Sequence, residues 1–177
     1  IVFYFFGMIR PHKQVPLLVR EFSAVKGEKL RLLITGVALS DDLRDEILNL
    51  ATPDPRVLHR LEYIPDGELA TYLSAADVAV LPFRDVLGSG SAIMALSSGL
   101  PVIAPRVGCL AELITPDCGV LYEPGPAAIA DALKWSLNQE LPAMGRAAQA
   151  RARQFPWETM VMETARVYAR ALGQSRP

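Results

Sequence analysis

Metal-ligating side chains are scarce in this sequence, which has two histidines, His12 and His59, and two cysteines, Cys109 and Cys118. Neither histidine stands at ligand spacing from a cysteine or a carboxylate, so no metal site is expected. One possible bridge is not a disulfide framework, and both thiols read as reduced core or loop groups of a cytoplasmic protein. Long apolar runs are missing as well. The opening Ile1–Phe6 run stops at Gly7, far short of the roughly 20 residues that span a bilayer. It lacks the charged flank of a signal peptide and reads as a buried strand. No lysine/arginine cluster appears and the net charge is -1, which gives no global electrostatic reason to expect nucleic acid. The nucleophile-elbow pattern of a serine hydrolase is absent too.

What the chain does contain is alternation. Short, almost uninterrupted apolar runs at Ile1–Phe6, Leu30–Thr35, Val57–Leu61, Val78–Leu81, Val102–Ala104 and Gly119–Tyr122 suit parallel strands buried on both faces. Segments of helical period lie between them. Pro16 occupies a first-turn position, Ser40 caps Leu43, Ile47 and Leu50, and Asp66 opens a short helix. Ser89 or Ser91 opens a helix that ends at Gly99. Two surface helices are expected over 127–137 and 141–154, and a last amphipathic one over about 156–172. Strand–helix alternation of this kind predicts an α/β fold, a doubly wound, Rossmann-like parallel sheet of about six strands with helices on both faces. Residues 1–177 read as one domain. Opening on a strand without an initiator methionine, they read as a fragment of a longer protein.

Such sheets bind ligands beyond the carboxyl ends of their strands, so the loops there come first. In the first, Gly7 closes the strand and permits close approach, while Arg10 and Lys13 precede a helix N-terminus, an arrangement that suits an anion or a pair of solvated surface charges. In the second, Gly88, Ser89, Gly90 and Ser91 lie between strand and helix. The glycines are expected to turn the chain tightly, and the N–H groups to form a phosphate nest or a plain helix cap. The spacing matches neither the dinucleotide fingerprint nor the P-loop. In the third, Gly108 permits close approach and Glu112 lies in a first helical turn, where the dipole favours an acid whether or not a ligand is present. His59 reads as a packed or edge strand residue.

Taken in order, Phe6-Gly7…Lys13, Leu33-Ile34-Thr35-Gly36, Ser74–Val78 with Leu81-Pro82, Gly99–Ala104 and Val107-Gly108…Glu112-Leu113-Ile114 resemble the C-terminal, donor-binding half of the retaining glycosyltransferases of family four, which have the GT-B fold. The resemblance runs over almost the whole chain. It implies transfer of a sugar from a UDP- or GDP-activated donor to a glycan or lipid-linked acceptor. It also implies an N-terminal acceptor domain that this chain lacks, no metal or other cofactor, and no turnover by the isolated domain. By it, Lys13, Arg10 and Asp85 are catalytic candidates. Gly7, Tyr63, Ile64, Gly88, Ser89, Gly90, Ser91, Gly108 and Glu112 are donor-binding candidates, with Tyr63–Pro65 meeting the nucleobase. Membrane association is expected only through the missing half. The sequence departs from the family at Met8, where an arginine is usual, at Gln14, where a glycine is usual, and at Val86 and Met94, where a glutamate pair is usual. Neither Val86 nor Met94 can accept a hydrogen bond from a hydroxyl as a carboxylate does, although Asp85 adjoins the first position. A nucleotide-sugar epimerase of the same fold, or a non-catalytic binding or scaffold homologue, are the alternatives.

Overall fold

The computed structural model describes residues 1–173. Six strands form one parallel sheet, β1 (Val2–Phe6), β2 (Arg31–Thr35), β3 (Val57–Arg60), β4 (Val78–Val80), β5 (Val102–Pro105) and β6 (Gly119–Tyr122), in the order β3-β2-β1-β4-β5-β6. This is the order of the Rossmann fold. β1 lies at the centre, and Phe3, Tyr4, Phe5 and Phe6 are all buried. Burying each such ring is worth about 2–3 kcal/mol, and the Tyr4 hydroxyl is satisfied by a 2.7 Å hydrogen bond with Thr35 Oγ1. His59 sits exposed on the edge strand β3, as expected.

The helices are α1 (Val15–Ser23), α2 (Asp41–Ala51), α3 (Asp66–Ala75), α4 (Gly90–Ser97), α5 (Leu110–Leu113), α6 (Ala128–Ser136), α7 (Leu141–Ala152) and α8 (Trp157–Ala171). They pack in two groups, α1 with α2 and α6, and α4 with α5 and α7. The winding explains this. The chain moves outward through β1, β2 and β3 in one direction and through β4, β5 and β6 in the other, so crossovers of one hand cover opposite faces. α4 and α7 meet backbone to backbone, since a Cβ built at Gly145 would lie 2.5 Å from Gly99 O. The two helices expected over 127–137 and 141–154 are each a little shorter, and α8 is amphipathic as its spacing predicts, but no residue of α8 is buried. The tail of that prediction ends at Leu172, and residues 174–177 lie outside the described part. Cys109 and Cys118 stand as free thiols.

Candidate functional site

The strand order reverses between β1 and β4, and there the following loops diverge and leave a crevice. The loop after β1 contains a short 3-10 turn, Pro11–Lys13, and is tied to the loop after β4 by a 2.7 Å bond from Arg84 N–H to His12 O. Lys13 is half-buried there, its ammonium 5.2 Å from the centre of the Phe83 ring and 5.9 Å from that of Phe5. It has no ion-pair partner among the described residues. Burial lowers its pKa below the usual lysine value, and the nearby Arg10 charge adds to this. Two aromatic faces are thus the company this cation keeps.

Lys13 converges with Gly7 and Ser91. A Cβ placed on Gly7 would lie 3.6 Å from Lys13 Nζ and 3.7 Å from Ser91 Oγ. Ser89 is the cap of α4, its Oγ accepting the Ala92 N–H at 3.1 Å. The Gly90 and Ser91 N–H groups at the helix start have no hydrogen-bond partner among the described residues. The helix start therefore presents free donors and a positive dipole end. One expectation is corrected here: Gly88 and Gly90 are not needed to turn the chain. Neither has a positive φ, and a Cβ on either would meet nothing within 4 Å.

Beside this group opens a cavity of about 310 Å³ lined by Phe6, Gly7, Met8, Thr35, Gly36, Val37, Tyr63, Ile64, Leu69, Ser91 and Met94. Its wall is mostly apolar, and the Thr35 hydroxyl is committed to Tyr4. Four of the predicted residues, Gly7, Tyr63, Ile64 and Ser91, line it together. Gly36 gives it its floor. Its φ is +130°, and a Cβ there would lie 2.1 Å from Gly7 O, so only glycine lets β1 and β2 end this close.

The remaining candidates lie around rather than in the cavity. Arg10 is exposed and its Nε donates to Met8 Sδ at 3.3 Å. Asp85 is exposed and paired with Arg84 at 3.2 Å. Gly108 (φ +49°) brings the third loop against the second, for a Cβ on it would lie 1.8 Å from Val86 O. Cys109 follows beside the Ser89 main chain, with its thiol pushed up in pKa first by burial and also by the Glu112 charge. Glu112 is exposed on the four-residue α5. Not singled out as site residues were Phe6, Thr35, Gly36, Val37 and Leu69 of the cavity wall, and Phe83 beside Lys13. The signal for Phe83 was a large aromatic in the loop that follows β4, whereas Leu69 lies on the helix that Asp66 opens. Among the described residues no group of three or more His, Cys, Asp or Glu could hold a metal ion, and no helix is long and apolar enough to cross a membrane.

Comparison with known proteins gives the family. The GDP-mannose:glycolipid 4-beta-D-mannosyltransferase of Xanthomonas campestris pv. campestris is 30% identical over 172 residues, covering 96% of this chain and 48% of that protein. The chain thus spans about half the length of the curated relatives it matches. HepE from Anabaena, solved with UDP-glucose, superposes with a TM-score of 0.83 at 20% identity, over 95% of this chain and 48% of that one. The C-terminal domain of a group 1 glycosyl transferase from Francisella tularensis superposes with a TM-score of 0.76 at 21% identity, over 87% of this chain and 85% of that one. Residues 1–139 match the family described as glycosyl transferases group 1, and the chain, a Rossmann-like half of the GT-B architecture, belongs to that family.

Proposed function

We propose that this domain binds a nucleoside-diphosphate sugar, GDP-mannose in the first instance, for transfer of the glycosyl group to a glycan or lipid-linked acceptor. The observation that carries the reading is the convergence of a half-buried Lys13 ammonium, unpaired among the described residues, with Gly7, the Ser91 hydroxyl and the N–H groups at the start of α4. Fixed cations and dipoles of this kind offset the charge that builds on a diphosphate as the bond from the sugar carbon to the leaving oxygen breaks. In this reading Lys13 and Arg10 face the diphosphate, and the turn from Gly88 to Ser91 cradles it. Tyr63 and Ile64 border the base in the apolar cavity, while Asp85 and Glu112, with Gly108 bringing their loops together, address the sugar hydroxyls. The preference for guanine and mannose follows the Xanthomonas relative, a GDP-mannose-dependent mannosyltransferase, and the UDP-glucose held by HepE makes UDP the natural competitor. No metal or further cofactor has a role in it. The acceptor would be held by a second α/β domain, which fits relatives twice as long, so the domain alone binds donor without turnover. Any membrane contact would come through that other half.

A second reading has one observation behind it. Val86 and Met94 stand where the family has its glutamate pair, as in a nucleotide-sugar-binding module without transfer activity. Calorimetry with GDP and UDP on the wild-type chain and Lys13→Ala tests the site. GDP is expected to bind, and the variant to bind about 10–100-fold more weakly, as for loss of a charge-assisted hydrogen bond. Binding of neither nucleotide, or equal binding by the variant, would sink the assignment.

A further inference from the structure

α5 is a single turn, and its last carbonyls, those of Glu112 and Leu113, have no helical partner. Both are taken by one side chain. Arg151 Nε donates to Leu113 O at 3.0 Å, and Arg151 Nη2 donates to Glu112 O. The guanidinium lies 4.9 Å from the centre of the Phe155 ring, and its other terminal nitrogen donates to Gln154 Oε1. Arg151 is carried by α7, which the Gly145–Gly99 contact seats against the end of α4. One rigid helix therefore holds both the helix whose start carries Ser89–Ser91 and the turn that carries Glu112. The family match ends at residue 139, before α7 begins.

The Glu112 carboxylate itself has no hydrogen-bond or ion-pair partner among the described residues. It acts electrostatically on Cys109, whose thiol lies at the Ser89 main chain. The carboxylate is thus uncommitted, and it stands on a turn that packs against α4 and follows the Gly108 contact with Val86 O. An arginine suits that task because its planar fork offers parallel N–H vectors to two acceptors, which an ammonium cannot do.

We propose that Arg151 is a positioning residue for the donor sugar: by holding the Glu112 and Leu113 carbonyls it sets the Glu112 carboxylate where it accepts a sugar hydroxyl. The inference rests on the nucleotide-sugar reading above and deepens it. Its test compares GDP with GDP-mannose by calorimetry on the wild-type chain, Arg151→Met, Glu112→Gln and the double variant. In the wild type the mannosyl group is expected to raise affinity roughly tenfold, the size of one charge-assisted hydrogen bond. Each single variant loses that increment while GDP binding stays within about twofold, and the double variant loses no more than either single one, because the two residues act as a unit. Additive losses overturn the proposal, as does a folded Arg151→Met that keeps the increment or loses GDP equally. If Arg151→Met does not fold, Arg151→Lys carries the same test: it reaches one carbonyl at most, and an undiminished increment overturns the proposal. A wild type that binds GDP but gains nothing from mannose removes the inference alone. One that binds neither GDP compound, and no UDP either, removes the nucleotide reading with it.

Discussion

The two ends of the candidate site are built on opposite plans. Where β1 and β2 finish, main chain presses on main chain: Gly36 leaves no room for a Cβ beneath Gly7, the Gly7 N–H bonds Thr35 O at 3.1 Å, and Ile9 N–H bonds Val37 O at 2.7 Å. Where α4 begins, Gly88 and Gly90 face open space, Leu87 is fully exposed, and the Ser89 cap closes the turn. The first end is shaped by the protein's own packing. The second is left open, with its donors uncommitted. Glycine means different things in the two places, close packing in one and unfilled space in the other.

The contrast is broken or upheld most directly by Gly36→Ala. The methyl group would meet Gly7 O at 2.1 Å in a backbone region that side chains rarely adopt. The expected loss is about 3 kcal/mol or more, the sum of overpacking and left-handed strain. Urea unfolding measures it. A loss below about 1 kcal/mol would mean that the strand ends can separate without cost, and the first end would not be fixed as described.

The next effect is on binding, and it concerns the cation between the two ends. Burial lowers the Lys13 pKa, so the folded chain holds that proton less tightly than the unfolded chain does. The cost of burying the ammonium is therefore present at neutral pH and is relieved as pH rises through the depressed pKa towards the ordinary one. A diphosphate favours the charged form. GDP affinity is expected to fall on the alkaline side, starting below the usual lysine range, while Lys13→Arg stays flat there. Calorimetry from about pH 7 to about pH 10 reads this directly. An equal decline in both proteins would assign the titration to another group.

Much of this architecture was legible because parallel strands covered on both faces leave unbroken apolar runs, as at Val78–Val80 and Val102–Pro105. A hydroxyl cap at Ser89 or Ser91 was legible because such caps work locally, and the structure gives it to Ser89. What escaped depends on segments that meet only in the fold. Gly36 beneath Gly7, the Phe83 ring beside Lys13 and Arg151 on the α5 carbonyls each join residues distant in sequence. The Gly88 and Gly90 conformations were misread for a related reason: glycine in a loop permits a tight turn without requiring one. The amphipathic pattern of α8 predicted the helix and not what its apolar side would meet, and none of its residues is buried.

A smaller effect tests the boundary between the two plans. Gln14, directly after Lys13, has φ 49° and ψ 35°, a left-handed conformation that costs a non-glycine residue about 1–2 kcal/mol. Gln14→Gly relieves that strain but makes the unfolded chain freer, so the expected net gain is about 0.5–1 kcal/mol. Urea unfolding with unchanged slope checks it. A loss of stability would show that contacts of the Gln14 side chain outweigh the strain.

The smallest expected shift belongs to Gly90→Ala, and it discriminates best between the two kinds of glycine. Gly90 is the first residue of α4, has no positive φ and would place a Cβ in open space. Alanine is a better helix former and reduces the freedom of the unfolded chain, so stability should change by no more than about 0.5 kcal/mol, in the stabilising direction. In the proposed binding mode the same methyl would stand in the path of the phosphate to the N–H groups of α4. GDP titrated into a variant as stable as the wild type separates the two roles: weakened binding means the space is kept for a ligand, and unchanged binding means the open end of the site owes nothing to glycine.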